Sequence, residues 1–122
     1  MAIHPVLSTE RLILQEMCLA DARAVYSLLD NPQVTAMLVT IPYPLTLGDI
    51  ERMIVVNHES VKRHGALSFS VANPSSQRLI GSVTLEISVG HHRGELRYWM
   101  GAQYWGHGYA TEAAEAVMNY AF

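Results

Sequence analysis

Apolar residues along this chain switch between two spacings. Arg11-Leu-Ile-Leu-Gln15, preceded by Ser8-Thr9-Glu10, is a short apolar run that reads as a strand. From Asp21 onward Ala22, Val25, Tyr26, Leu28 and Leu29 recur at helical intervals, with Asp21 as the predicted N-cap. Asn31-Pro32 ends this helix, because proline disfavours helical backbone in the residue before it. Ile41-Pro-Tyr-Pro44 is a rigid, extended connection. Thr46, with Asp49 three residues on, forms a capping box for a second helix that carries Ile50, Met53, Ile54 and Val61 and ends at Gly65.

The spacing then shortens to two. Leu67-Ser-Phe-Ser-Val-Ala-Asn73 alternates as a half-buried strand does, and Asn73-Pro-Ser-Ser76 turns the chain. Leu79 to Ile87 is a longer strand, with Gly81 marking a bulge. Gly90-His-His-Arg-Gly94 is a second turn, and Glu95 to Met100 a third strand of the meander. A loop from Gly101 to Gly108 leads into a helix that opens at Tyr109 or Thr111, with Ala113, Ala114, Val117, Met118 and Ala121 on its apolar face. The order β-α-α-β-β-β-α predicts a mixed α/β (α+β) layered fold, antiparallel through its centre, in one domain over residues 1–122.

Half of the residues are apolar and 16% are charged, which suffices for a core and excludes a disordered chain. The formal charge of −3 gives no global field for nucleic acid, so an anionic ligand has to be held locally. Cys18 is the only cysteine, so no intrachain disulfide forms, and it reads as a small, partly buried apolar residue. The N-terminus lacks a secretory pattern and no run reaches the length of a membrane span, which points to a cytoplasmic protein without membrane association. His91-His92 read as a solvated turn, and His58 and His64 as a solvated helix face. Neither pair supplies a converging metal set.

The chemistry concentrates in Trp105-Gly-His-Gly-Tyr-Ala110, between a strand and a helix. The first amides of a helix have no internal partner and together carry partial positive charge, so an anion is stabilised there. Glycine lets a phosphate approach the backbone. Gly106 and Gly108 therefore either receive a diphosphate or only shape the turn. The Rossmann pattern fails at Thr111, where a third glycine belongs, and the Gly-Lys-Ser/Thr of a Walker loop is absent.

Trp105-Gly106-His107-Gly108-Tyr109-Ala110-Thr111-Glu112-Ala113 resembles the acetyl-CoA loop of GNAT-type N-acetyltransferases, in the branch that acetylates ribosomal-protein N-termini. In the family pattern, Gln/Arg-x-x-Gly-x-Gly/Ala, Gly108 and Ala110 fill the fourth and sixth positions, and Trp105 occupies the first, where Gln or Arg is usual. A shifted register from Gln103 to Gly108 also fits; the first places the expected helix start directly after the motif. Leu7-Ser-Thr-Glu-Arg-Leu-Ile-Leu14, Asp21-Ala22, Leu79-Ile-Gly81 and Glu95-Leu-Arg-Tyr-Trp-Met-Gly101 resemble further segments of that branch, in order along the chain.

The resemblance implies a GNAT-like acyl-CoA N-acyltransferase fold and direct attack of a primary amine, on a peptide N-terminus or a small molecule, on the thioester of acetyl-CoA. It implies no metal. It assigns the pantetheine arm to Trp99, Met100 and Gly101, and the pyrophosphate to the loop of Trp105, Gly106, His107, Gly108, Tyr109 and Ala110, with the Thr111 hydroxyl as a further donor. Glu95 is the candidate general base, and Glu86 a weaker one. Glu95 reads equally as an exposed strand carboxylate paired with Arg97 or Arg93. Tyr98 and Trp99 either line an acceptor groove or pack the core, and Tyr43 either reaches toward the acceptor or packs its turn.

The resemblance also implies that the domain is incomplete at its C-terminus, stopping before the family's fifth strand, with the general acid beyond Phe122. An uncovered strand edge would favour a homo-oligomer. A noncatalytic CoA-binding or oligomerisation module on the same fold is the alternative reading.

Overall fold

The computed structural model describes residues 6–36, 45–88 and 93–121. The predicted connection Ile41–Pro44, the histidines of the predicted turn at 90–94 and Phe122 lie outside them. Among the described residues five strands form one antiparallel sheet in sequence order: β1 (Leu7–Ser8), β2 (Ile13–Gln15), β3 (Leu67–Ala72), β4 (Leu79–Ser88) and β5 (Arg93–Met100). Helices α1 (Ala22–Leu29), α2 (Pro32–Thr35) and α3 (Leu47–His64) lie between β2 and β3, and α4 (Tyr109–Ala121) follows β5.

The predicted first strand is a hairpin instead, with Leu7 opposite Leu14 and Ser8 opposite Ile13. Thr9 makes its turn: its N–H donates to the Leu12 carbonyl at 2.9 Å and its Oγ1 accepts from the Leu12 N–H at 3.0 Å. Asp21 precedes α1 but does not cap it. Its carboxylate accepts from the Cys18 N–H at 2.9 Å and closes the preceding 3-10 turn, Leu19–Asp21. Pro32 ends α1 and also opens α2, where the missing N–H costs nothing and Asn31 Oδ1 accepts from the Gln33 N–H at 2.9 Å. The capping box of α3 forms as predicted, and Gly65 ends that helix with φ 69°.

β3 is not half-buried; residues 68–72 are all buried. Phe69 and Val71 face one apolar cluster, shared with Val83, Leu85, Ala113 and Val117 of β4 and α4. Ser68 and Ser70 face the other way, where a second cluster gathers Val25, Leu29, Ile50 and Ile54 of α1 and α3. The serines are tolerated because they are satisfied: Ser70 Oγ donates to the Gln15 carbonyl at 3.0 Å, and Ser68 Oγ lies 3.0 Å from Thr84 Oγ1. Helices thus cover both faces of the sheet. Truncating the fully buried Phe69 to alanine would cost about 3–5 kcal/mol by the usual penalty for an aromatic core residue.

The bulge lies where Gly81 predicted it. Val71 pairs with Gly81 and Ala72 with Leu79, so Ile80 has no counterpart. Gly81 has a further constraint, since a Cβ there would lie 2.2 Å from the Trp99 carbonyl oxygen. It lets β5 approach closely, which fixes where the loop after β5 begins.

Candidate functional site

β5 leads into a 3-10 turn, Ala102–Tyr104, and then the glycine loop. Gly106 and Gly108 hold φ values of 81° and 78°, a region that side chains disfavour, so both glycines are required by the backbone itself. α4 opens at Tyr109, with the Glu112 N–H donating to the Gly108 carbonyl at 3.0 Å. The helix therefore starts inside the motif register that begins at Trp105. The alternative register, Gln103 to Gly108, is the one that ends at its mouth, and Gly108 is a motif position in both.

The main-chain N–H groups from Gly106 to Thr111 have no acceptor among the described residues. Gly106, His107, Gly108 and Thr111 are exposed, and Tyr109 and Ala110 half-buried. These are the unspent donors of a helix start, open to solvent, which is the arrangement that receives an anion.

A strap from the N-terminal hairpin holds this loop from one side. Arg11 Nε donates to Glu112 Oε1 at 2.7 Å, Arg11 Nη1 to the His107 carbonyl at 2.8 Å, and the Arg11 N–H to Glu112 Oε2 at 3.0 Å. The Thr9 hydroxyl also donates to Glu112 Oε2, and the guanidinium lies 4.6 Å from the Tyr109 ring centre. Desolvation pushes the Glu112 carboxyl up, but the Thr9 and Arg11 donors together outweigh it and leave it below its ordinary value. Sequence reading missed this strap; Thr9 and Arg11 stood in the resembling N-terminal segment, with nothing to show what they touch.

The edge of β5 needs a one-residue correction. Gly101 N–H donates to the Ile80 carbonyl at 2.9 Å, which makes Gly81–Met100 a non-hydrogen-bonded pair of the ladder. Alternation then turns the main-chain groups of Trp99 toward Ser82, and those of Tyr98 and Met100 toward the outer edge. Of Trp99, Met100 and Gly101, only Met100 offers its N–H and carbonyl to that edge; Tyr98, unassigned from sequence, joins it. Among the described residues β5 pairs with β4 alone. The Trp105 indole N–H donates to the Met100 carbonyl at 2.9 Å, which ties the loop to this edge.

Glu95 and Glu86 stand opposite each other in the ladder. Arg97 pairs with Glu86 and not, as sequence suggested, with Glu95, which is exposed and has no ionic partner among the described residues. Tyr98 is exposed, while Trp99 is half-buried against the α1–α3 cluster. Two further expectations are corrected. Cys18 is exposed, not partly buried, because its turn lies at the surface. His58 is half-buried, its Nε2–H held by the Met17 carbonyl at 2.5 Å, so it packs the sheet-to-helix passage and does not stand in solvent. His107 is exposed with its ring beside Tyr109. No cluster of metal-ligating side chains occurs among the described residues, and none of their helices is long and apolar enough to cross a membrane.

A family model described as the acetyltransferase (GNAT) domain matches residues 11–122. The chain belongs to that family. An uncharacterised N-acetyltransferase of Bacillus licheniformis is 29% identical over 117 residues, covering 95% of this chain and 65% of that protein. The chain thus spans just under two thirds of that relative's length. A GNAT-family acetyltransferase from Bacillus anthracis is 25% identical with a TM-score of 0.76, over 97% of this chain and 66% of that one. A ribosomal alpha-N-protein acetyltransferase solved in complex with coenzyme A is 13% identical with a TM-score of 0.79, over 95% and 67%. This last likeness is one of fold.

Proposed function

We propose that this chain binds acetyl-CoA through the glycine loop and the β5 edge, as part of an N-acetyltransferase acting on a primary amine. The single observation that carries the reading is the row of amides from Gly106 to Thr111 at the mouth of α4, without an acceptor among the described residues and exposed at Gly106, His107, Gly108 and Thr111. Family membership supports acetyl-CoA as the diphosphate-bearing molecule proposed for this loop.

The arm of the cofactor then runs back along β5 as an added strand, pairing with the outward groups of Met100 and Tyr98. The Met100 carbonyl, already holding the Trp105 indole, keeps a second lone pair for this. From Met100 to Glu95 the strand covers about 17 Å at the usual rise per residue, comparable with an extended pantetheine arm. This brings the thioester toward the Glu95 end of the strand. The amine nitrogen attacks the thioester carbonyl carbon, the carbon–sulfur bond breaks, and coenzyme A leaves as the thiolate. Glu95, directly or through water, takes the proton that the nitrogen sheds. Glu86 is the poorer candidate because Arg97 already neutralises it. Holding amine and thioester together supplies most of the catalysis, and such positioning is worth about 7–11 kcal/mol in favourable cases.

Calorimetric titration with acetyl-CoA, followed by a free-thiol assay with peptide and small amines, tests the reading. Binding with thiol release supports it. Binding without release favours a noncatalytic CoA-binding module, and no binding removes both. The exposed side chains of Tyr98, on β5, and Trp105, held to it, also suit pairing with a second copy, which would compete with the cofactor. Sedimentation with and without coenzyme A tests that.

A further inference from the structure

We infer that Arg11 is a positioning residue for the cofactor loop, a role that rests on the diphosphate reading above. Two glycines at positive φ leave this loop with much conformational freedom, so something outside it has to select one arrangement. Arg11 reaches three successive parts of it: the His107 carbonyl at 2.8 Å, the Tyr109 ring at 4.6 Å and the Glu112 carboxylate at 2.7 Å.

The first contact has a specific consequence. In a planar trans peptide the carbonyl and the following N–H point in opposite directions. Fixing the His107 carbonyl on Arg11 therefore turns the Gly108 N–H the other way, out of the strap and into the mouth of the helix.

The contact with Glu112 acts through charge. A carboxylate in the first turn of α4 competes with an anionic guest for the same partial positive charge. Arg11 and Thr9 occupy both Glu112 oxygens with hydrogen bonds and the guanidinium neutralises the carboxylate, so the helix mouth stays attractive to a diphosphate. Arg11 does not act here as a phosphate ligand; it sets the direction of one amide and cancels one opposing charge.

The test is calorimetric titration of coenzyme A, well below the melting temperature, into wild type, R11A, R11K and R11A/E112Q. R11A is expected to weaken binding about tenfold, the size of one lost charge-assisted interaction. R11K keeps the charge but cannot fork between Glu112 and His107, so it falls about threefold short of wild type. R11A/E112Q binds more tightly than R11A, because the carboxylate that Arg11 had neutralised is gone. A purely structural Arg11 would lower the melting temperature and leave the dissociation constant of folded protein unchanged. That result, or a double variant no tighter than R11A, overturns the inference. Should R11A fail to fold, R11K against wild type decides by the same criterion. Wild type that does not bind coenzyme A sinks the functional reading itself, which separates the two failures.

Discussion

Gly81→Ala tests whether β5 is held as closely to β4 as the geometry requires. The added Cβ would lie 2.2 Å from the Trp99 carbonyl oxygen, 2.6 Å from Met100 Sδ and 3.0 Å from Met100 Cα. The sulfur is the end of a flexible side chain and can move. The carbonyl oxygen belongs to a strand whose groups are committed to the ladder, so β5 itself has to shift. Overpacking of this kind costs about 3 kcal/mol, and the reduced freedom of the unfolded chain offsets up to about 1. At about 2.1 cal/mol/K per residue, the 122 residues give an unfolding entropy near 0.26 kcal/mol/K, so a net loss of about 2–3 kcal/mol lowers Tm by about 8–12 °C. Circular dichroism melts measure it. Gly48→Ala is the control: Gly48 is exposed in the first turn of α3 with only Thr46 Oγ1 nearby at 3.7 Å, so alanine there raises Tm by about 2–4 °C. A G81A melt within about 2 °C of wild type would refute the close approach of β5 and, with it, the placement of the loop that follows.

Thr46→Ala removes the hydroxyl that accepts from the Asp49 N–H at 3.1 Å and should cost about 1 kcal/mol, read from urea midpoints at unchanged m. The Glu112 carboxyl is lower folded than unfolded, so its contribution is complete above the ordinary carboxylate value near 4.3 and fades as pH falls through the lower folded value. Melts taken across that acid window should be steeper in pH for wild type than for E112Q, and parallel curves would contradict the strap. The Cys18 thiol is raised by desolvation and by the Asp21 carboxylate that accepts its S–H, so a disulfide reagent should label it more slowly at neutral pH than a free cysteine peptide, and D21N should speed the reaction.

Much of the frame could be read from local chemistry. The capping box at Thr46 and Asp49, the terminating Gly65 and the bulge at Gly81 each follow from residue types at fixed offsets, and the structure has all three. The glycine loop was legible for the same reason: positive φ and free amides are properties of the segment itself. What failed depended on partners far along the chain. β1 is two residues long and exists only because β2 folds back on it, so no periodicity marked it. Ser68 and Ser70 signalled a solvent face, yet they are buried, because hydrogen bonds to Thr84 and Gln15 satisfy them. Glu112 read as one more polar helix residue until Arg11, 101 residues earlier, was found against it. The edge assignment slipped by one residue because the ladder phase is set by a single bond, Gly101 N–H to Ile80, that spacing does not reveal.

The claim beneath all of this is that the main-chain amides at the mouth of α4 take up a diphosphate. Amide-resolved NMR of 15N-labelled protein during a coenzyme A titration tests it most directly. The account predicts that the Gly106, Gly108 and Tyr109 amide resonances move furthest and saturate together, as N–H groups now facing solvent gain charged acceptors. Saturable binding that leaves those resonances in place would contradict it.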